Sequence, residues 1–294
     1  MTPRLSASTN LSGPLAVLRG LIFVIHPFPA LINALAGAAF YLMVVGAVWG
    51  VSVVAIFFSI LLIHASIGSM NDFCDIDLDT KTKPDKPIVR GDISPRGALL
   101  ITALAAFAGS VLTLSFSWPT LYVALAVLTS GMAYNFWAKG TVWSWLPYGV
   151  FIPALPVWAF VAADEFTPIV LFSFPLGALI SLALNVANTV PDLKGDTQYG
   201  LRGIAHLIGL KRSLLIVWAS FGATIVLLVL TPSVLGNNPS HLWPGILAGS
   251  TLLMIMILDR LANRSTASLR RGWYLSAAAA AVLGAAWVAS LVGG

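Results

Sequence analysis

Apolar stretches between polar breaks form nine runs in this chain, at roughly 17–40, 46–70, 95–116, 119–136, 145–163, 167–190, 212–231, 242–259 and 272–292, each near the ~20 residues a bilayer-crossing helix needs. No other feature narrows the possible folds so far. In hydrocarbon every backbone N–H and C=O must be satisfied within the chain, so a sequence of such runs folds as helices or as a closed barrel. Runs this long and continuously apolar are helical, since barrel strands alternate over about ten residues. Composition agrees: 58% of the 294 residues are hydrophobic and 9% charged, against about 25% charged in a soluble domain. Mean hydropathy is +0.91. An ordinary soluble domain is excluded, and the expected fold class is an all-α integral membrane protein, nine transmembrane helices in a single bundle. Pro27, Pro29, Pro153 and Pro156 fall inside runs, where neighbouring helices of a membrane bundle can absorb the kink.

The 16 Lys and Arg test that count. Arg4 and Arg19 lie at the start of the first run. Lys81, Lys83, Lys86, Arg90 and Arg96 lie between the second and third. Lys139 follows the fourth, and Lys194, Arg202, Lys211 and Arg212 follow the sixth. Arg260, Arg264, Arg270 and Arg271 separate the last two. The alternate loops, near 41–46, 115–120, 164–167 and 232–241, contain no Lys or Arg. Because cytoplasmic loops carry the Lys/Arg excess, the N-terminus is expected inside and the C-terminus outside. The pI near 9.6 then reflects topology and anionic lipid contact rather than nucleic-acid binding. One cysteine, Cys74, excludes an internal disulfide. Residues 1–16 are polar and lack the apolar core and cleavage site of a signal peptide. They are expected to be a cytoplasmic arm, with 17–294 as one transmembrane domain.

The 11 acidic residues are scarce and unevenly placed. Asp72, Asp75, Asp77 and Asp79 lie in NDFCDIDLD, followed by Asp85 and Asp92; Asp192 and Asp196 lie in NTVPDLKGD. Both clusters fall at the cytoplasmic ends of runs, where a carboxylate costs far less than at mid-bilayer. Asp72, Asp75 and Asp79 share one stripe if the helix continues, as do Asn185, Asn188, Asp192 and Asp196. Hard divalent cations such as Mg²⁺ take oxygen ligands, usually one or two carboxylates plus substrate phosphates. Juxtamembrane carboxylates can also simply pair with nearby Lys and Arg. Two clusters on one side of a chain otherwise so poor in acid point instead to a metal-bound diphosphate.

At these residues the chain resembles the UbiA-type intramembrane prenyltransferase superfamily. Asn71, Asp72, Asp75 and Asp79 match its N-D-x-x-D-x-x-x-D signature, and Asp192 and Asp196 match D-x-x-x-D. KPDKPIVRGDIS resembles the family's basic loop, and YNFWAKG its Tyr-to-Lys element through Tyr134 and Lys139. Four residues separate that Tyr and Lys here, where many members have three. The resemblance implies Mg²⁺-dependent transfer of a prenyl group from an isoprenyl diphosphate to an acceptor at the membrane. It implies metal ligation by Asn71, Asp72, Asp75, Asp79, Asn188, Asp192 and Asp196. It implies catalytic roles for Asp75, Asp192, Tyr134 and Lys139, and diphosphate binding by Lys86, Arg90, Lys139, Lys194 and Arg202. Aromatic faces at Tyr134, Phe136 and Trp137 can stabilise an allylic cation, although all three also suit an interfacial aromatic belt. Arg19, His26, Asn33 and His64 are candidates for an acceptor pocket.

The expected acceptor is a small aromatic ring, and the expected location is the inner (plasma) membrane with the site facing the cytoplasm. Partners are the diphosphate donor, the acceptor and the bilayer, without nucleic acid. Prenyl transfer to a glycerol-phosphate lipid, a porphyrin or a sugar phosphate, and terpene cyclisation on the same metal site, remain alternatives. An ion transporter is disfavoured because no acid lies deep in a run. A CDP-alcohol phosphotransferase is disfavoured because Ile76, not Gly, follows Asp75.

Overall fold

The computed structural model describes residues 13–193 and 203–292. These form eleven α-helices and no strand among the described residues. They are α1 (Pro14–Val24), α2 (Pro27–Val44), α3 (Val51–Cys74), α4 (Ile76–Thr82), α5 (Pro95–Leu114), α6 (Trp118–Ala133), α7 (Tyr148–Ala162), α8 (Ser173–Thr189), α9 (Ile204–Leu235), α10 (Leu242–Ala262) and α11 (Thr266–Val292). Helix α6 runs on into a π-turn at Tyr134–Ala138. Eight of the helical stretches are long and apolar enough to cross a membrane. The exception among the expected spans is α7, whose 15 residues extend about 22 Å at 1.5 Å per residue.

Local signals explain most helix starts. Ser94 and Ser117 cap α5 and α6 by accepting the N–H of Gly97 and Thr120, satisfying donors that the first turn leaves orphaned. A proline follows each cap within two residues, where its missing N–H costs nothing. The first expected run, 17–40, is corrected to two helices. Pro27 disfavours the α conformation at the residue before it, and His26 takes a left-handed backbone with φ +53°. In α9, Gly209 at φ +75° interrupts the helical backbone, ahead of the expected start near 212.

The described chain divides into two compact units, residues 13–39 with 49–136, and residues 40–48 with 137–193 and 203–292. In the first, α3 lies along α5 and also packs on α6. Val24, Ile88, Ile93 and Ala98 form a small core joining α1, the 83–94 loop and α5. In the second, α8 packs on α7, α9 and α11, and α10 lies against α11. Its core includes Leu176, Ile180, Phe221, Leu228, Leu283 and Trp287. The Trp287 indole N–H donates to Ser173 Oγ at 2.9 Å, satisfying a polar atom inside that core.

Large apolar side chains also cover the outside. Val51 is 85% exposed, Phe107 71% and Leu247 66%. A water-facing protein rarely exposes such continuous apolar surface; helices surrounded by lipid tails do so without penalty.

Candidate metal and diphosphate site

The first acidic motif straddles a helix break. Asn71 and Asp72 lie in the last turn of α3, Asp75 is the junction residue at φ −93°, ψ 2°, and Asp79 lies in α4. Backbone bonds from Asp75 N to Asn71 O and from Asp79 N to Asp75 O carry the helical pattern across the junction. The single continuous stripe expected for Asp72, Asp75 and Asp79 is therefore corrected to a kinked one. Asp72 and Asp79 are each only 2% exposed, while Asp75 is half-buried.

Asp72 is tied to two other segments. Lys86 Nζ donates to its Oδ1 at 2.5 Å, and His26 Nε2 lies 2.6 Å from the same oxygen. At that separation Nε2 must carry the proton, because two lone pairs would repel. Lys86 Nζ is 3.1 Å from the same imidazole nitrogen, so two donor heads share one carboxylate oxygen. The other oxygen, Oδ2, is buried and has no hydrogen-bond partner among the described residues. Gly68, one turn before Asp72, lets the His26 break approach. A Cβ there would lie 2.8 Å from the Ile25 carbonyl oxygen.

A second ionic cluster sits beside the first. Asp92, 1% exposed, accepts two bonds from Arg19, at 2.9 and 3.2 Å, and two from Arg90, at 2.5 and 2.9 Å. The Arg19 hydrogen bonds and then the Arg90 bond and charge hold the Asp92 carboxyl below its ordinary range, against the opposing effect of burial. Two sequence candidates, Arg19 and Arg90, are thus fixed by a carboxylate outside the expected site.

Asn71 Nδ2 donates to Asn135 Oδ1, and Asn135 Nδ2 donates to the Ile67 carbonyl, both at 2.9 Å. Asn135 lies in the π-turn with Tyr134, Phe136 and Trp137. Phe136 and Trp137 are exposed, at 66% and 60%, whereas Tyr134 and Lys139 are half-buried. His64 is buried in α3, its Nδ1 2.9 Å from the Ile60 carbonyl. Asn33 is half-buried on α2.

In the other unit, Asn185 exchanges bonds with Ser144: Ser144 Oγ donates to Asn185 Oδ1 at 3.1 Å, and Asn185 Nδ2 donates to the Ser144 carbonyl at 3.2 Å. Asn188 and Asp192 are exposed, the latter ending a 3₁₀ turn at Val190–Asp192. Lys194, Asp196 and Arg202 lie outside the described residues.

The donor chemistry suits a hard cation, offering carboxylate and amide oxygens and one orphaned buried oxygen on Asp72. No three carboxylate, imidazole or thiol groups converge on a metal position among the described residues. A Mg²⁺ shell is commonly completed by substrate phosphates and water rather than by an all-protein cage. Sequence reasoning missed Asn135 and Ser144, whose short polar side chains carry no motif, and the clamp formed by Asp92.

Comparison with known proteins gives one family match, two relatives and two structural neighbours. The UbiA prenyltransferase family matches over residues 30–277. Digeranylgeranylglyceryl phosphate synthase from Natronomonas pharaonis is 33% identical over 174 residues, spanning 57% of this chain and 61% of that protein. Naringenin 8-dimethylallyltransferase 2 from Sophora flavescens is 24% identical over 175 residues, spanning 52% of this chain and 42% of that protein. The fold resembles that of a UbiA homologue from Archaeoglobus fulgidus bound to GPP and Mg²⁺, with TM-score 0.72, 16% identity and coverage of 94% and 100% of the two chains. An apo UbiA homologue from Aeropyrum pernix K1 superposes with TM-score 0.71 at 18% identity, covering 88% and 96%.

Proposed function

The chain belongs to the UbiA prenyltransferase family, and from that premise we propose that it transfers a prenyl group from an isoprenyl diphosphate to a small acceptor at the membrane, with Mg²⁺ as cofactor. The observation that carries the reading is Asp72: a buried carboxylate with one orphaned oxygen and an ammonium on the other. Burying such a group is costly unless a cation compensates it.

In this reading Asn71, Asp72, Asp75 and Asp79 supply one set of oxygen ligands, and Asn188, Asp192 and Asp196 the other. Bound Mg²⁺ would supply Lewis-acid stabilisation of the diphosphate leaving group. Lys86, Arg90, Lys139, Lys194 and Arg202 donate to diphosphate oxygens, adding fixed positive charge in a water-poor site. The allylic C–O bond breaks with its electron pair leaving on diphosphate. The prenyl carbon then bonds to the acceptor, which gives up a proton. Tyr134 offers an aromatic face to the developing cation. Arg19, His26, Asn33 and His64 line the acceptor side. The chain crosses the inner membrane nine times, α7 included, with residues 17–294 as one domain and the site facing the cytoplasm.

For the acceptor, an aromatic ring has the support of the Sophora relative. A phosphorylated glycerol acceptor is favoured by a specific observation, the higher identity to the Natronomonas synthase. The deciding experiment measures diphosphate release by purified protein from allylic diphosphates of increasing length. It is run with Mg²⁺, with aromatic or glyceryl-phosphate acceptors or none, alongside Asp75→Ala and Asp192→Ala. Acceptor-dependent release that both variants abolish supports the transferase and names its acceptor class. Release of a cyclic product without acceptor replaces transfer by cyclisation. No release from any donor, with both variants equal to wild type, removes the metal–diphosphate reading.

A further inference from the structure

The polar network behind the first acidic motif has a direction. The Ile67 carbonyl can only accept a hydrogen bond, so the Asn135 side chain must turn its NH₂ toward it. That leaves Asn135 Oδ1 facing Asn71, and an oxygen there can only accept. Asn71 must therefore offer its own NH₂, at 2.9 Å, and keep its Oδ1 for the opposite side. A backbone carbonyl of α3 thus sets, through two amides in series, which atom Asn71 presents.

The geometry behind this is built in. Gly131 lies one helical turn before Asn135, as Ile67 lies one turn before Asn71. At Gly131 a Cβ would clash with the Ile67 side chain, with Cγ1 at 2.6 Å and Cγ2 at 2.8 Å and Cδ1 closer still, so only glycine lets α6 come this close to α3. The π-turn at Tyr134–Ala138 then widens the backbone where Asn135, 7% exposed, reaches across. Such single-turn π-segments are frequent at functional sites.

We infer that Asn135 is a positioning residue for the donor site: it orients Asn71 so that a carbonyl oxygen, and not an NH₂ group, faces the cation held by the first acidic motif. The inference rests on the metal–diphosphate reading of that motif. An amide oxygen is a ligand for a hard cation, whereas an NH₂ turned the same way would present positive hydrogens to it. Asn135 itself touches neither metal nor donor and acts through Asn71.

The test measures Mn²⁺ binding by the full chain in detergent, with inorganic diphosphate present, by the loss of the free Mn²⁺ resonance in EPR. The variants are Asn135→Leu, Asn71→Asp, their combination, and Asn71→Ala. Asn135→Leu is expected to weaken Mn²⁺ binding about 10–100-fold, the usual effect of losing a group that orients a ligand. In the Asn71→Asp background the same change is expected to be neutral or favourable. A carboxylate has no wrong face, and in that background the Asn135 carbonyl repels it. General damage to the fold would instead weaken binding equally in both backgrounds. If Asn135→Leu does not give folded protein, Asn135→Ala removes the same two bonds with less steric change and enters the same cycle. An equal loss in both backgrounds, or no loss in either, overturns the inference while leaving the site reading intact. Absence of diphosphate-dependent Mn²⁺ binding in wild type, or Asn71→Ala binding as wild type does, removes the ligand assignment itself and the inference with it.

Discussion

Asp72 carries an ammonium and an imidazole on one oxygen and, among the described residues, no hydrogen-bond partner on the other, so its stability without a cation depends on Lys86. Removing one partner of a buried ion pair costs about 3–5 kcal/mol; because His26 remains, Lys86→Met is expected to cost about 2–3 kcal/mol on the same scale. The loss belongs to the protein in chelator, and Mg²⁺ alone should narrow it. Thermal unfolding of both proteins in EDTA and in Mg²⁺ without diphosphate measures the difference, and an equal gap in the two conditions contradicts the idea that cation and ammonium answer the same need. Asp92 makes a prediction of opposite character, because its charge is wanted in every state. Its folded-state pKa lies below its unfolded value, about 3.9. Its contribution is therefore present in full above that unfolded value and is lost as pH falls through the folded one. Asp92→Asn should lower the melting temperature clearly at pH 7 and less at pH 3.5, so the two curves converge in acid. At this scale the ligand candidates were legible, since scarce carboxylates at fixed spacing stand out in an apolar chain. Their partners were not: His26 is 46 residues and Lys86 14 residues from Asp72, and only packing brings them together.

Helices were legible in type and approximate place, less so in their number and interruptions. The break at His26 had a cause visible in the sequence, Pro27, but proline alone does not say that the preceding residue turns left-handed rather than kinking within one span. The kink at Asp75 had no such marker, as neither glycine nor proline lies between Asn71 and Lys83. The π-turn is different. The Tyr134-to-Lys139 spacing is one residue longer than that of many family members, and a π-turn is how an α-helix absorbs one extra residue. The signal was present in the spacing, and its structural form was not. Where helices touch, small residues set the distance. Gly177 on α8 faces Pro153 of α7, and a Cβ there would lie 2.9 Å from the proline Cδ. Proline cannot swing aside as a flexible side chain can. Gly177→Val is therefore expected to destabilise by about 1–3 kcal/mol, the range for overpacking a filled interior. Gly222, on α9, provides the control, because a Cβ there would meet nothing within 4 Å. Gly222→Ala should be neutral or slightly stabilising, because alanine favours a helix over glycine by about 1 kcal/mol. Unfolding of the detergent-solubilised variants, followed by size exclusion after heating, separates the two; a Gly177→Val protein as stable as Gly222→Ala would contradict the close α7–α8 approach.

For the molecule as a whole, orientation rests on electrostatics rather than on packing. The helices fix how many times the chain turns, and the Lys and Arg between them bias which turns stay with the cytoplasm. The count matters because α7 is short. If α7 does not cross, every segment after it changes side, and the basic residues 260–271 would sit opposite residues 81–96. If it crosses, all basic loops share one side, which the positive-inside bias favours. A helix of about 22 Å against a hydrocarbon core of ~30 Å can still span where flanking segments continue the path or the bilayer thins locally, at fractions of a kcal/mol per Å. The 3₁₀ turn Pro168–Phe172 ahead of α8 and the polar flanks Lys139 and Asp164 fit such a crossing. Single-cysteine labelling decides it. In a Cys74→Ser background, Ser240→Cys, in the loop before α10, should react with an impermeant maleimide applied to intact cells. Lys83→Cys and Ser265→Cys, on loops before α5 and α11, should react only after permeabilisation. Matching behaviour of Lys83→Cys and Ser265→Cys requires an even number of crossings between them, and α5 to α10 supply six only if α7 is one of them. Opposite labelling of the two would instead leave α7 inside the protein and overturn the nine-span count.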